Sequence, residues 1–242
     1  MRLRYHQPIP NFYNQENPHH PNNLISNDFL QEFADIAIAS RFAGLSFSKL
    51  SEDFKREWDI DWDNIIILKY MMSEDILKME PSDEKCKLMD EEFQEFGAKT
   101  FALADILREN GFKADLINPL DDRVSLRAIA MQSNDAVITR SNMCMFKEGL
   151  NLGFFMIQTS IENLPFKTEN ELKWVEDYCS TCGVCIDRCP EKAFDENGKF
   201  LRKLCTAHRE GCSRCINFCP FYKRGYEKVK KRYGRMKKWV TK

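Results

Sequence analysis

Residues 179–220 read CSTCGVCIDRCPEKAFDENGKFLRKLCTAHREGCSRCINFCP, and this stretch contains eight of the ten cysteines in the chain. The first four cysteines follow the pattern C-x2-C-x2-C-x3-C-P, and the last four follow C-x6-C-x2-C-x3-C-P. Two residues between cysteines allow one tight turn to bring successive thiolates to neighbouring irons of a cubane, with backbone N–H groups pointing at its sulfides. The spacing therefore predicts two [4Fe–4S] clusters.

The two runs are expected to exchange their last cysteine, because in two-cluster ferredoxins the fourth cysteine of each run ligates the other cluster. The expected ligands of the first cluster are Cys179, Cys182, Cys185 and Cys219. Those of the second cluster are Cys189, Cys205, Cys212 and Cys215. A pair of zinc sites is the alternative, because four-cysteine zinc sites also use C-x2-C pairs. A third cysteine at the same spacing and a fourth followed by proline, both found twice, favour iron–sulfur.

Upstream of the cysteines, the apolar residues follow helix and strand patterns in alternation. Ser26 or Asn27 caps a helix that is expected to end near Gly44, and Ile65–Leu68 is typical of a buried parallel strand. The pattern then predicts a long helix from Pro81 to Gly111, a strand over 113–117, a helix over 122–132 and a strand over 152–160. The alternation indicates an α/β (α+β) body over residues 26–170. We therefore expect four parts: an irregular arm (1–25), this body, a ferredoxin-like domain (171–225) and a tail (226–242).

The tail differs from the rest of the chain in charge. Residues 221–242 contain ten Lys or Arg and one acidic residue, whereas residues 1–220 contain 26 basic and 36 acidic residues. Aromatic and apolar residues recur there at three- and four-residue steps, which predicts a basic amphipathic helix interrupted by Gly234. Either its aromatic face docks on the acidic body, or its basic face binds an acidic partner, nucleic acid or a membrane surface.

Composition excludes some classes of protein. With 43% hydrophobic and 12% aromatic residues, the chain can bury a core, which excludes wholesale disorder. No apolar run approaches the ~20 residues of a membrane-spanning helix, and none opens the chain as a signal peptide would. We therefore expect a cytoplasmic protein without a membrane span, in which thiols stay reduced and serve metals or redox chemistry.

Three stretches resemble the reductive dehalogenases and the related epoxyqueuosine reductases. The stretch KLCTAHREGCSRCINFCPF (203–221) is similar to their C-terminal ferredoxin module, with a lone cysteine, a spacer and G-C-x-R-C-x-x-x-C-P-F. The segment RSNMCMFKEGLNLGFFMIQTSIENLPF (140–166) resembles the strand pair before that module, and LRENGFKA (107–114) resembles a helix end. The resemblance covers roughly residues 90–222 of this sequence.

The resemblance implies a nitroreductase-like body that binds cobalamin beside a bacterial-ferredoxin-like 2[4Fe–4S] domain. It also implies that Arg140 and Lys147 approach the corrin, where they could contact its amide or phosphate groups; the alternative is surface charge. Where the family has glycines before the strand pair, residues 133–140 contain none. Because glycine allows close approach of the backbone to a bulky ligand, this replacement indicates a changed or absent corrin site. No catalytic residue can be assigned.

The sequence thus supports three hypotheses about function. The first is an oxidoreductase that passes low-potential electrons through two [4Fe–4S] clusters to a cobalamin or a small-molecule substrate in the body. Its electron donor would be a ferredoxin or a flavodoxin. The second is a non-catalytic, ferredoxin-like electron-transfer protein without cobalamin. The third is a nucleic-acid-binding protein that uses the basic tail.

Overall fold

A computed structural model describes residues 9–58, 60–120 and 124–240, and its fold is mixed α/β. Its elements in chain order are α1 (Asn27–Ala39), β1 (Phe42–Lys49), α2 (Glu52–Trp58), β2 (Asn64–Met71), α3 (Glu74–Lys78), α4 (Asp83–Glu109), β3 (Ala114–Leu116), α5 (Leu126–Gln132), β4 (Ala136–Ile138), β5 (Cys144–Phe146), β6 (Leu152–Thr159), α6 (Trp174–Cys182), α7 (Val184–Asp187), α8 (Ala207–Glu210), α9 (Arg214–Asn217), α10 (Pro220–Arg224) and α11 (Tyr226–Val240).

The chain divides into two compact units, each made of three segments. Unit 1 comprises Met1–Met71, Asp90–Asp135 and Gly153–Glu169. Unit 2 comprises Met72–Met89, Ala136–Leu152 and Asn170–Lys242. The domain boundaries expected from the sequence, after residues 25, 170 and 225, remain predictions.

Unit 1 is built on a four-stranded sheet with the strand order β1-β2-β6-β3. β1 pairs with β2, and β3 pairs with β6, both in antiparallel register. The strand expected at Ile65–Leu68 is present in β2 and is fully buried. The expectation that this strand is parallel was wrong in its pairing with β1. A continuous apolar run indicates that both faces of a strand are covered, which is usual in parallel sheets. β2 is covered in this way although it pairs with β1 in antiparallel register.

The helices of unit 1 begin and end at local signals. Ser26 caps α1, because its hydroxyl accepts the N–H of Phe29, as the sequence indicated. The predicted end near Gly44 was wrong: α1 ends at Ala39, Arg41 takes a positive φ of 74°, and β1 follows. The long helix α4 ends at Glu109, just before the predicted stop at Asn110 and Gly111, and Gly111 has a φ of 82° that favours glycine. The helix expected over 122–132 is observed as α5, and residues 122 and 123 lie outside the described residues.

The N-terminal arm is irregular over its described part, as expected, yet it is anchored on unit 1. The guanidinium of Arg108 donates to the carbonyl of Gln15 (2.6 Å) and to the carbonyl of Ala114 (2.8 Å). Its central carbon lies 3.4 Å from the centre of the Tyr13 ring. One buried arginine therefore fastens the arm to β3 by hydrogen bonds and by a cation–π contact.

Unit 2 contains the β4–β5 hairpin, the cysteine-bearing loops with their short helices, and the tail helix α11. Its core is an apolar cluster that includes Val137, Leu172, Val175, Phe221, Tyr226 and Val229. α11 runs through Gly234 without a break, so the predicted interruption was wrong; the last two residues of the predicted tail lie outside the described range. In the described ranges, no helix combines the length and the apolar character needed to cross a membrane.

Candidate metal centre

The first cysteine run is shaped by a helix that ends between its members. Cys179 and Cys182 lie in the last turn of α6, and Gly183 then takes a left-handed φ of 62°. This glycine reverses the chain into the short helix α7, which carries Cys185. A side chain would be strained at that φ, so the C-G dipeptide at 182–183 is what allows three cysteines to face one cavity.

That cavity brings together the cysteines expected to bind the first cluster. The lining cysteines are Cys179, Cys182, Cys185, Cys215 and Cys219. Cys219 belongs to the second run in sequence, yet it lies with the first three cysteines of the first run. Cys189, the last cysteine of the first run, does not line this cavity. These positions agree with the expected exchange of the fourth cysteine, but Cys215 lines the cavity as well, and the ligand set of each cluster stays a prediction.

Burial and backbone hydrogen bonds act in opposite directions on the thiols around this cavity. Burial raises the pKa of Cys179 to about 11, whereas the backbone N–H of Arg140 donates to its sulfur and lowers it. Burial likewise raises the pKa of Cys219 to about 12, against N–H groups of Phe221 and Tyr222. Donors that stabilise a thiolate also stabilise a negatively charged cluster that such thiolates hold. The loops therefore supply the hydrogen bonds to sulfur that a cluster needs.

Cys189, Cys205, Cys212 and Cys215 form a second group, of which Cys215 also lines the first cavity. Burial raises the pKa of Cys205, and the neighbouring Cys212 and Cys189 raise it further. Burial raises the pKa of Cys215 to about 12, again with Cys205 and Cys212 as its first charged neighbours. The widened gap between Cys205 and Cys212 forms the helical turn α8, which Gly211 ends with a φ of 68°. The additional residues are thus a compact turn between two cysteines of one group.

The donor chemistry of the two groups fits iron–sulfur clusters. All ten cysteines are free thiols, and the eight in question are half-buried rather than packed in the core. Among the side chains that the structure describes, no three from His, Cys, Asp and Glu converge on a single metal ion. Eight thiols are the donor set that two cubanes need, because each cysteine of a cubane binds a different iron.

Arg140 and Lys147, which the resemblance placed near a corrin, are found in different surroundings in unit 2. Arg140 lines the cysteine cavity, and its guanidinium donates to the carbonyls of Ser180 (2.8 Å) and Asn197 (3.2 Å). Lys147 follows β5, and its ammonium lies 3.8 Å from the carboxylate of Glu171. The contact of either residue with a corrin stays a prediction.

Tyr178 is a residue of this site that sequence reasoning missed. Its hydroxyl bonds to the thiol of Cys182, and burial, followed by charge on Cys182, raises the pKa of Tyr178 to about 12. Its ring packs against Phe221 at 5.2 Å and against Tyr233 of α11 at 5.7 Å between ring centroids. Its position directly before Cys179 was the only available signal.

The turn at residues 133–140 does not offer the bare backbone that a corrin site of the family implies. The Ser133 hydroxyl donates to a carbonyl of α5 and accepts the N–H of Asp135. The Asp135 carboxylate accepts from Ser46 and from Lys167. Thr139 bonds to the Met143 carbonyl at 3.1 Å. Buried side chains with internal hydrogen bonds thus stand where glycines would leave space, and these residues do not fit a corrin of the expected kind.

Comparison with known proteins finds similarity in fold. No protein-family model matches the chain. A catabolic reductive dehalogenase, NpRdhA, in complex with 3-bromo-4-hydroxybenzoic acid, superposes with a TM-score of 0.69 at 14% identity, over 88% of this chain and 35% of the dehalogenase. The epoxyqueuosine reductase of Bacillus subtilis superposes with a TM-score of 0.57 at 14% identity, over 82% of this chain and 66% of the reductase. An uncharacterized protein in the gldA 3' region of Geobacillus stearothermophilus is 36% identical over 47 residues, which is 19% of this chain and 20% of that protein.

The resemblance noted in the sequence is therefore confirmed at the level of the fold, which is similar to that of the reductive dehalogenase and of the epoxyqueuosine reductase. At 14% identity, the likeness concerns the fold. The chain spans about a third of the dehalogenase and just under two thirds of the reductase.

Proposed function

We propose that the protein is an iron–sulfur oxidoreductase in which a nitroreductase-like body is followed by a ferredoxin-like module with two [4Fe–4S] clusters. One observation supports this proposal: the positions of Cys219 and Cys189 agree with an exchange of the last cysteine between the two runs. Cys219 lines the cavity of the first three cysteines, and Cys189 neighbours Cys205. This exchange is characteristic of two-cluster ferredoxins, and a pair of independent zinc sites gives no reason for it.

The side chains around the cysteines have roles that follow from their contacts. These thiols would hold iron as thiolates, so the free energy of metal binding would have to exceed the cost of deprotonating them. Backbone N–H groups donate to the sulfurs, and the Tyr178 hydroxyl donates to Cys182. These donors stabilise negative charge, while the aromatic residues around Tyr178 exclude water. When bound, the clusters supply one-electron transfer at low potential.

The electron acceptor in this proposal is a small-molecule substrate held by the α/β body. Cobalamin is the acceptor that the family resemblance implies, but the filled turn at 133–140 argues against it. The same turn favours the second candidate function, an electron-transfer protein without cobalamin. Substrate turnover by the protein with both clusters separates the first function from the second.

The electron donor in this proposal is an acidic carrier protein such as a ferredoxin or a flavodoxin, and α11 is its docking surface. The aromatic face of α11 packs inward, with Tyr233 5.4 Å from Trp174 and 5.7 Å from Tyr178 between ring centroids. Its opposite face exposes Lys228, Lys231, Arg232 and Arg235. A carrier bound to that face would be separated from Tyr178, and hence from Cys182, by the diameter of one helix. Nucleic acid is the other ligand that such a face could bind.

The test uses the anaerobically reconstituted protein, reduced flavodoxin and hydroxocobalamin. We expect flavodoxin to reduce the clusters reversibly, seen as bleaching of their visible absorption. We expect added hydroxocobalamin to leave its own spectrum and the thermal midpoint of the protein unchanged, because a ligand that binds only the native state raises that midpoint. A saturable base-off spectrum with a raised midpoint would assign cobalamin to the protein. Clusters that no low-potential donor reduces would contradict the oxidoreductase proposal.

A further inference from the structure

Lys85 is a charged residue in a fully buried position of unit 2. It lies in the first turn of α4, and its side chain has no exposed surface. The stem of the side chain runs so close to Gly211 that a Cβ there would lie 3.2 Å from Cγ of Lys85. The ammonium donates to the carbonyls of Leu77 (3.1 Å) and Met79 (2.8 Å) and to the hydroxyl of Ser213 (2.7 Å).

The hydrogen-bond partners indicate that Lys85 is protonated. The hydroxyl of Ser213 donates its own hydrogen to the carbonyl of Leu77 at 2.6 Å, so it can only accept from Lys85. Three acceptors thus face the nitrogen, and an ammonium has three N–H donors, whereas a neutral amine has two. A neutral Lys85 would leave one buried acceptor without this donor, which is unfavourable.

No carboxylate within the described ranges lies at ion-pair distance from this ammonium. The nearby carboxylate of Glu80 bonds instead to Arg214 at 2.8 Å. A buried charge without a partner is costly, so the fold must supply negative charge from another source. The thiol of Cys212 is the group whose charge most favours the charged form of Lys85, against burial, which lowers the pKa of the lysine.

Lys85 contacts both neighbours of Cys212. Its stem lies against Gly211, and its ammonium is bonded to Ser213. Cys212 belongs to the second cysteine group, with Cys205, Cys215 and Cys189. The lysine is therefore fastened to the loop that presents a ligand of the second group, and it is absent from the lining of the first cavity.

We infer that Lys85 is the cationic partner of the second cluster and that its charge raises the reduction potential of that cluster relative to the first. This inference rests on the proposed function. Reduction adds negative charge to a cluster, and a fixed positive charge nearby stabilises the reduced form, more strongly in a buried site than in water. Lys85 is thus a positioning residue that acts on the second cluster through its electrostatic field. Because the second cluster then has the higher reduction potential, it accepts electrons from the first cluster.

The experiment is an EPR-monitored redox titration of the reconstituted full chain and four variants. K85Q removes the charge and keeps an N–H donor, K85M removes both, and K85R keeps the charge. K87M removes an exposed lysine two residues away on the same helix and is the matched control. The midpoint of the second cluster is identified as the one that disappears in C212A.

We expect K85Q and K85M to lower the reduction equilibrium constant of the second cluster about tenfold, which is ~59 mV for a one-electron couple. The midpoint of the first cluster should stay in place, and K85R and K87M should resemble the unmodified protein. If the neutral variants lose the second cluster while K85R retains it, the result also supports the charge, because arginine restores charge and not shape. Unchanged midpoints in a fully loaded K85Q, or equal shifts of both clusters, would overturn the inference. Absence of iron and sulfide from the unmodified protein would instead overturn the proposed function.

Discussion

Thiols in unit 2 are held where their charged forms are unfavourable without a metal. Burial is the largest factor in the raised pKa values of Cys179, Cys215 and Cys219. Backbone N–H groups from the adjoining loops oppose it, and these donors come from turns whose position depends on a few long side chains. At the residue scale, the site is therefore a set of half-buried thiols whose surroundings disfavour the free thiolate, with backbone N–H donors that partly offset the effect of burial.

Arg140 is expected to hold the loops of the first cavity in place. The R140A variant loses the hydrogen bonds to Ser180 and Asn197, and we expect the free energy of unfolding of the metal-free protein to fall by about 1–2 kcal/mol. The first cluster should also be lost or bleached by air faster than the second. Chemical denaturation and iron analysis measure the two effects.

K147A is the matched control, because it also removes a cationic side chain from unit 2. Its single ion pair with Glu171, at 3.8 Å, is exposed. Such surface pairs contribute ~0–1 kcal/mol, so we expect little change in stability and full iron content. Equal losses in R140A and K147A would contradict the role given to Arg140.

At the scale of elements, the predictable parts are those whose signal is local. The cap at Ser26 and the aromatic repeat of the tail each depend on a few neighbouring residues, and both predicted helices are present. The clusters expected from the cysteine spacing stay a prediction. β1 was missed because its buried positions include Ser46 and Ser48, whose hydroxyls bond to Asp135 and to a carbonyl of α5. Polar residues on a buried face hide the alternation by which a strand is recognised.

Other omissions have a similar physical cause. The strands of the β4–β5 hairpin have three residues each, which is too short for a period to be read. Lys85 lies in a helix rich in charged residues, where a lysine normally faces water. Its burial depends on a carbonyl of α3 and on Ser213, 128 residues away in the sequence. Only the three-dimensional structure could reveal such a partner.

α11 packs its aromatic face inward and exposes basic side chains, and the docking role proposed for the basic face can be tested by itself. K231E/R235E reverses two exposed charges and leaves the buried aromatic face intact. We expect the second-order rate of cluster reduction by flavodoxin to fall about tenfold at low salt, because complementary charge mainly raises association rates. The difference should vanish in ~1 M salt, where charges are screened within ~3 Å. Stopped-flow absorbance measures the rate.

The control is K49E/K87E, which makes the same change in net charge at two exposed lysines outside α11. This control should react at the rate of the unmodified protein. A different result would assign the basic face to nucleic-acid binding: the clusters of K231E/R235E are reduced as fast as those of the control, but the variant loses salt-dependent affinity for an RNA stem-loop.

At the scale of the whole molecule, a chain of 242 residues has a fold found within longer oxidoreductases. Unit 2 contains all eight clustered cysteines, and unit 1 contains the four-stranded sheet. The body differs from the family pattern where buried serine, aspartate and threonine occupy the turn at 133–140. The proposed function therefore includes electron transfer through the clusters and a final acceptor other than cobalamin.

The iron and sulfide content of the protein tests the central claim most directly. After anaerobic reconstitution, we expect about eight iron and about eight acid-labile sulfide per chain, as two cubanes require. C182A and C212A should each lose the signal of a different cluster, while C144A, which removes a buried cysteine of neither group, should keep both. Stoichiometric zinc without sulfide, or the same cluster lost in C182A and C212A, would contradict the account.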